Sequence, residues 1–216
     1  MGDSTRLNDL TVGALIERLA SSDPVPGGGS ASALAAAMGA ALVAMVAELT
    51  IGRPEAVEHE AAIRELRAAA QQRCAELLGL AEQDAAAYQA VVMARRLPKD
   101  SEAERQARAT ALRSAMVDAA RVPLQAATAA AEVLDLAQRI ALIGNRRAVS
   151  DAGVAAQLAA AGLRGALLNV RINLPYLAPD EPLRDTAPAE VAALESLAAE
   201  REQAAMEAVD ARLVSP

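Results

Sequence analysis

The 216-residue chain has no phenylalanine, no tryptophan and only two tyrosines. A β-sheet core draws on aromatic and β-branched side chains, so their scarcity argues against a sheet. There are almost no rings on which bases could stack and the net charge is −7, which excludes nucleic acid as the expected partner. A single cysteine, Cys74, rules out an internal disulfide. One cysteine and one histidine, His59, cannot build the thiolate or imidazole cluster that zinc or iron needs, so no metal site is expected. Any catalysis then falls to carboxylates, Lys, Tyr or backbone groups. The segment Met1 to Arg6 shows no basic-then-apolar signal pattern, and a cytoplasmic location is expected.

What is present instead is alanine, at about a quarter of the positions, within an apolar content of 53%. Alanine has the highest helix propensity, and its small side chain lets helix axes approach to about 8 Å. The expected fold class is all-α, a bundle of about six helices with long antiparallel members. The length fits one domain, residues 1–216, and neither a repeat nor a long linker divides it. Helices are predicted over Leu10 to Ala20, Ala31 to Ile51, Pro54 to Arg95, Ser101 to Ile143, Ser150 to Leu174 and Ala189 to Leu213. Leu97-Pro98 ends the third, because proline disfavours helix in the residue before it. Ser101-Glu-Ala-Glu104 reads as a capping box, Pro123 as a kink or short break, Gly144-Asn145 as a left-handed C-cap and Ser150-Asp151 as an N-cap. The uncharged run Gly28 to Ala47 is nominally long enough to cross a bilayer. It is rich in Ala and Gly, has no Trp or Tyr girdle, and sets Gly29, Ala33, Ala37, Ala40 or Ala41, and Ala44 along one face. It therefore reads as a buried central helix and not as a membrane span.

Three patterns carry possible chemistry. Pro24-Val-Pro26-Gly27-Gly28-Gly29-Ser30 leads straight into the central helix, and a glycine loop that opens a helix leaves N–H groups free for an oxygen-rich or anionic ligand. The competing reading is a stiff turn. It is no nucleotide fingerprint, having no preceding strand, no Gly-x-Gly-x-x-Gly and no Gly-Lys-Ser/Thr ending. On the third helix the stripe Leu66, Ala70, Cys74, Leu77, Leu80, Ala81, Tyr88, Val91 is interrupted by Asp84. A carboxylate on a buried face is costly to ionise, which raises its pKa and suits it to proton exchange near neutral pH. The alternatives are a solvated edge position or pairing with an arginine. On the fifth helix Gly162, Gly165, Asn169 and Asn173 offer either tight helix packing or amide donors and acceptors for a ligand. Arg146, Arg147, Arg164 and Arg171 suit carboxylates but read first as charge balance on an acidic chain.

Taken together these segments resemble the cyclodeaminase/cyclohydrolase family, which includes the C-terminal half of formiminotransferase-cyclodeaminase and free-standing methenyltetrahydrofolate cyclohydrolases. The likeness rests on Pro24 to Ser30, Met38 to Val46, Leu49-Thr-Ile-Gly52, Asp84-Ala-Ala-Ala-Tyr88, Arg96-Leu-Pro-Lys99, Val122-Pro-Leu124, Gly144-Asn145, Ser150 to Ala155 and Gly165 to Asn173, and spans roughly residues 7 to 177. It implies an all-α homodimer acting on a tetrahydrofolate derivative, with no further cofactor and with a separate formiminotransferase as a possible partner. It implies Asp84 as the catalytic residue, and substrate contacts from Pro26, Gly27, Gly28, Gly29, Ser30, Tyr88, Lys99, Asn145, Asp151, Asn169 and Asn173. The expected reaction is closure of formiminotetrahydrofolate with loss of ammonia. The alternatives are hydrolysis of methenyltetrahydrofolate, and a non-catalytic folate-binding or structural dimer. One departure stands out: after Gly52 the family carries basic residues and then an aromatic, whereas here Arg53-Pro54-Glu55-Ala56 stands.

Overall fold

The structure, a computed structural model, describes residues 6–213. Among these there are six α-helices, four short 3₁₀ turns and no strand. The helices are α1 (Val12–Leu19), α2 (Gly28–Glu48), α3 (Glu60–Arg96), α4 (Glu102–Ile143), α5 (Val149–Asn173) and α6 (Pro182–Leu213). α2 packs on α3, α4 and α5, and α6 closes the bundle against α4 and α5. A continuous core of small apolar side chains joins α2 to α6. Small residues set the spacing: a Cβ at Gly39 would come within 2.7 Å of the Ala155 carbonyl oxygen, and one at Gly162 within 2.6 Å of the Ser32 carbonyl oxygen. Tight packing therefore accounts for Gly162. α2 and the stretch Arg146–Tyr176 are apolar and long enough to cross a membrane, yet 56% of each tested window is buried inside the bundle, as the central position of α2 requires.

The capping box at Ser101 is formed: its hydroxyl accepts from the Glu104 N–H at 3.2 Å, and the Glu104 carboxylate accepts from the Ser101 N–H at 2.8 Å. α1 is capped by Thr11, which accepts from the Ala14 N–H. Several boundaries differ from the sequence expectation. Pro54–His59 forms a 3₁₀ turn ahead of α3, and α6 starts at Pro182 and not at Ala189, with Pro188 inside it. Gly144 is extended (φ −74°, ψ 176°) and not left-handed. Glycine is needed there because a Cβ would lie 2.6 Å from the Ile140 carbonyl oxygen and 3.0 Å from Val46 Cγ1. Ser150 and Asp151 fall inside the first turn of α5, whose N-cap position is Ala148; Asn145 caps the preceding 3₁₀ turn, accepting from the Arg147 N–H at 3.0 Å.

Pro123 does not break α4, which runs on past it to Ile143. Having no N–H, it leaves the carbonyl four residues earlier without its helical donor. That carbonyl belongs to Ala119, and the Asn173 side-chain amide donates to it at 2.8 Å. A polar group from α5 thus repairs the gap in α4.

At the opposite end of the bundle the C-termini of α2, α4 and α6 converge, and arginines hold their exposed carbonyls. Arg53 donates to the Leu49 carbonyl, Arg212 to those of Ala141 and Gly144, and Arg146 to that of Arg212. Arg164 and Arg171 pair with Glu202 and Glu195 on α6. These contacts account for the arginines as helix caps and inter-helix pairs.

Candidate functional site

Where the N-terminus of α2 meets the middle of α3, Gly29 lies directly over Asp84. A Cβ on residue 29 would sit 2.6 Å from Asp84 Cγ and 2.7 Å from Oδ2, and closer still to Oδ1. Only glycine leaves room for this carboxyl. The Ser30 hydroxyl lies 2.9 Å from Asp84 Oδ2 and 3.0 Å from the Ala81 carbonyl oxygen, and Ser30 is fully buried. The Ser30 backbone N–H also donates to the carboxyl. The anion at the N-terminus of α2 is therefore the protein's own Asp84, held by Ser30 where the positive end of the α2 dipole favours negative charge. Burial is the larger influence and raises the Asp84 pKa; the two hydrogen bonds from Ser30 oppose it.

One hydroxyl carries one proton, and Ser30 faces two acceptors. With Asp84 ionised, Ser30 donates to the carboxylate. With Asp84 protonated, the acid donates to Ser30, which turns its own proton to the Ala81 carbonyl. Both protonation states of Asp84 are satisfied without moving a heavy atom.

Asp84 opens into a cavity of about 370 Å³. One wall is α3, with Asp84, Tyr88, Val91, Val92 and Arg95 on successive turns. The glycine loop supplies Pro24, Val25, Gly27, Gly28 and Gly29; α4 supplies Met116 and Ala119; and α5 and the turn after it supply Asn169, Ile172, Asn173 and Tyr176. Val91 and Met116 belong to a small apolar cluster under this wall. Asn169 and Asn173 spend their amide nitrogens on the carbonyls of Gly165, Asn169 and Ala119, which leaves each Oδ1 as the atom available to a ligand. Both tyrosines of the chain line this cavity, Tyr88 44% and Tyr176 64% exposed, in a protein that keeps no aromatic ring in its core.

The family model described as formiminotransferase-cyclodeaminase matches residues 11–193, most of the chain. The chain belongs to this family. A methenyltetrahydrofolate cyclohydrolase from Methylorubrum extorquens is 44% identical over 163 residues, covering 76% of this chain and 78% of that protein. A formimidoyltransferase-cyclodeaminase from Rattus norvegicus is 35% identical over 179 residues, 83% of this chain but 33% of the rat protein. The crystal structure of formiminotetrahydrofolate cyclodeaminase from Thermotoga maritima superposes with a TM-score of 0.85 at 25% identity, covering 96% of this chain and 99% of that one.

Of the site residues expected for a member of the formiminotransferase-cyclodeaminase family, the structure brings together Asp84, Gly27, Gly28, Gly29, Tyr88, Asn169 and Asn173 around one cavity. Ser30 and Pro26 are buried behind it, Ser30 holding Asp84. Three do not join them within one chain. Lys99 is exposed in the α3–α4 turn and does not line the cavity. Asn145 lies at the other end of α2, about 30 Å away by helix rise, where its N–H donates to Thr50 Oγ1 and its amide to the Leu49 carbonyl. Asp151 stands in the first turn of α5, at the end remote from Asn169. The Arg53-Pro54-Glu55-Ala56 departure is also at that far end; Arg53 binds the Leu49 carbonyl and pairs with Glu55 at 3.6 Å, and none of the four residues lines the Asp84 cavity. Sequence reasoning missed Tyr176 and Arg95. The signal for Tyr176 was the rarity of aromatic residues; Arg95 had been assigned only to a helix end. Among the described residues no group of three or more His, Cys, Asp or Glu side chains could hold a metal ion.

Proposed function

We propose that this chain is a folate one-carbon enzyme that adds water to methenyltetrahydrofolate and opens it to formyltetrahydrofolate. The observation that carries the proposal is the buried Asp84 carboxyl, held by Ser30 in either protonation state at the edge of a cavity with two tyrosines. The 44% identity to the cyclohydrolase, extending over most of both proteins, favours hydrolysis over the expected cyclodeaminase reaction. The structural likeness to the cyclodeaminase supports the second reading, in which formiminotetrahydrofolate closes with release of ammonia.

In the hydrolytic reading ionised Asp84 accepts a proton as the water oxygen bonds to the carbon between the two folate nitrogens. The resulting tetrahedral carbon collapses, the bond to one nitrogen breaks, and Asp84 returns its proton to that nitrogen. The second proton of the former water is lost to solvent as the formyl C=O forms. In the deaminating reading the attacking group is a folate nitrogen, and Asp84 protonates the departing ammonia. Each path uses one carboxyl as base and then as acid, and neither requires a cofactor beyond the folate. Such acid–base help is worth about 10²- to 10⁴-fold.

The protein assembles as a homodimer in this reading. The outward face of α2 is apolar along its length (Leu34, Met38, Leu42, Met45, Leu49) and continues onto Val154 and Leu168 of α5; Met38, Met45, Leu49, Val154 and Leu168 are exposed. A face without charge is suited to a second copy of itself.

The test is absorbance at the methenyl band with each substrate in turn. Loss of the band from methenyltetrahydrofolate supports hydrolysis, and its appearance from formiminotetrahydrofolate with release of ammonia supports deamination. Asp84→Asn should slow the active reaction about 10²- to 10⁴-fold. A folded Asp84→Asn protein with full turnover refutes the role given to Asp84, and no turnover of either substrate by the native protein refutes the enzymatic reading.

A further inference from the structure

The cavity has a polarity along α3 that the acid–base step does not use. Asp84, Tyr88, Val91 and Arg95 are spaced four, three and four residues apart, so they form one stripe, and Arg95 stands three turns beyond Asp84, about 16 Å along the axis. Between the two ends the lining is apolar: Val91, Val92 and Met116. The site thus runs from a proton-handling carboxyl through an apolar slot to a guanidinium.

On this acidic chain many arginines pair with carboxylates, as Arg73, Arg105, Arg113 and Arg121 do. Among the described residues the Arg95 guanidinium makes no ion pair and no hydrogen bond; only its backbone carbonyl is used, by Arg108. Compensation of the α3 dipole is the alternative role for a basic residue in the last turn, and Arg96 shares that turn. Arg96 does not line the cavity, which separates the two roles.

Resting on the folate reading above, we infer that Arg95 binds a carboxylate of the substrate's glutamate tail and makes the site select a folate over the same ring system without glutamate. A folate carries its reactive carbon between the pterin and one aromatic ring, and its carboxylates lie beyond that ring and an amide, a span on the order of 10 Å from standard bond lengths. With the reactive carbon at Asp84, the ring occupies the Val91, Val92 and Met116 slot. The tail then reaches Arg95, whose planar fork suits bidentate carboxylate recognition.

The experiment compares the native protein, Arg95→Gln and Arg96→Gln, each with methenyltetrahydrofolate and with its analogue bearing an uncharged amide in place of glutamate. It reads kcat and KM by absorbance and Kd by calorimetry. The native protein is expected to bind the amide analogue about tenfold more weakly, the scale of one charge-assisted contact. Arg95→Gln should raise KM and Kd for the folate by the same factor, leave the amide analogue unchanged and keep kcat within about twofold. Arg96→Gln should behave as the native protein. Equal effects of Arg95→Gln on both ligands, or none on either, overturn the assignment, as does a native protein indifferent to the glutamate. If binding shows the expected pattern but neither ligand turns over, the hydrolytic reading fails while Arg95 stands. If neither ligand binds the native protein, both fail.

Discussion

Replacing Gly29 by alanine should separate catalysis from stability. The backbone at Gly29 is ordinary helix, and among the described residues the glycine with a positive φ is Gly52, so alanine is accepted at position 29 without backbone strain. In a helix, alanine is favoured over glycine by up to about 1 kcal/mol. The new Cβ, however, would lie 2.6 Å from Asp84 Cγ, where carbon atoms ordinarily rest about 3.5–4.0 Å apart. The carboxyl is the end of a side chain, so it yields, by about 1 Å, and loses its geometry with Ser30. A displacement of this size costs on the order of 10²-fold in turnover. The assay is the absorbance rate alongside a thermal melt. The expected result is a melting temperature close to that of the native protein, with kcat down about 100-fold. Combining Gly29→Ala with Asp84→Asn should add little to the loss from Asp84→Asn, because both act on one group. Native turnover in Gly29→Ala, or full additivity in the double variant, would refute the reasoning.

Ser30→Ala removes the hydroxyl that holds the Asp84 pKa down, leaving burial to raise it further. The ionised form is then scarcer at a given acidic pH. If Asp84 works as base, the acid limb of the pH–rate profile moves to higher pH while the plateau above it is retained; an unmoved limb contradicts the assignment. Met38→Lys puts a charge in the middle of the apolar α2 face and should shift the protein toward monomer in sedimentation velocity. A native protein that sediments as a monomer, or a variant that remains dimeric, disproves that interface.

The fold was largely legible because its determinants are local. Alanine content and the lack of aromatic residues fix the class, and the Ser101 capping box acts over three residues. Where a residue's role depended on a distant element, local rules misjudged it. Gly144 reads as a left-handed cap because that is glycine's commonest use at a helix end, but its backbone is extended, and a Cβ there would meet both the Ile140 carbonyl oxygen and Val46 of α2. Pro123 was expected to disturb α4, and nothing within α4 reveals that Asn173 of α5 supplies the missing donor. Asn173 read as either a helix-packing residue or a ligand contact; its amide mends a helix while its Oδ1 faces the cavity.

The site divides in the same way. Asp84 was conspicuous in sequence because periodicity alone shows a carboxylate in an apolar stripe, and the glycine loop was conspicuous because its composition is unusual. That the two meet, so that Ser30 at the end of the loop holds Asp84, is an encounter between residues 54 positions apart. Arg95 and Tyr176 enter the cavity for the same reason, since the packing of α3 against α4 and α5 sets which side of each helix end is enclosed. Helix propensity, caps and periodicity act over a few residues and are written along the chain. The placement of Asp84 under Gly29, with an unpaired guanidinium three turns away, arises only when helices pack closely enough for side chains remote in sequence to share one cavity.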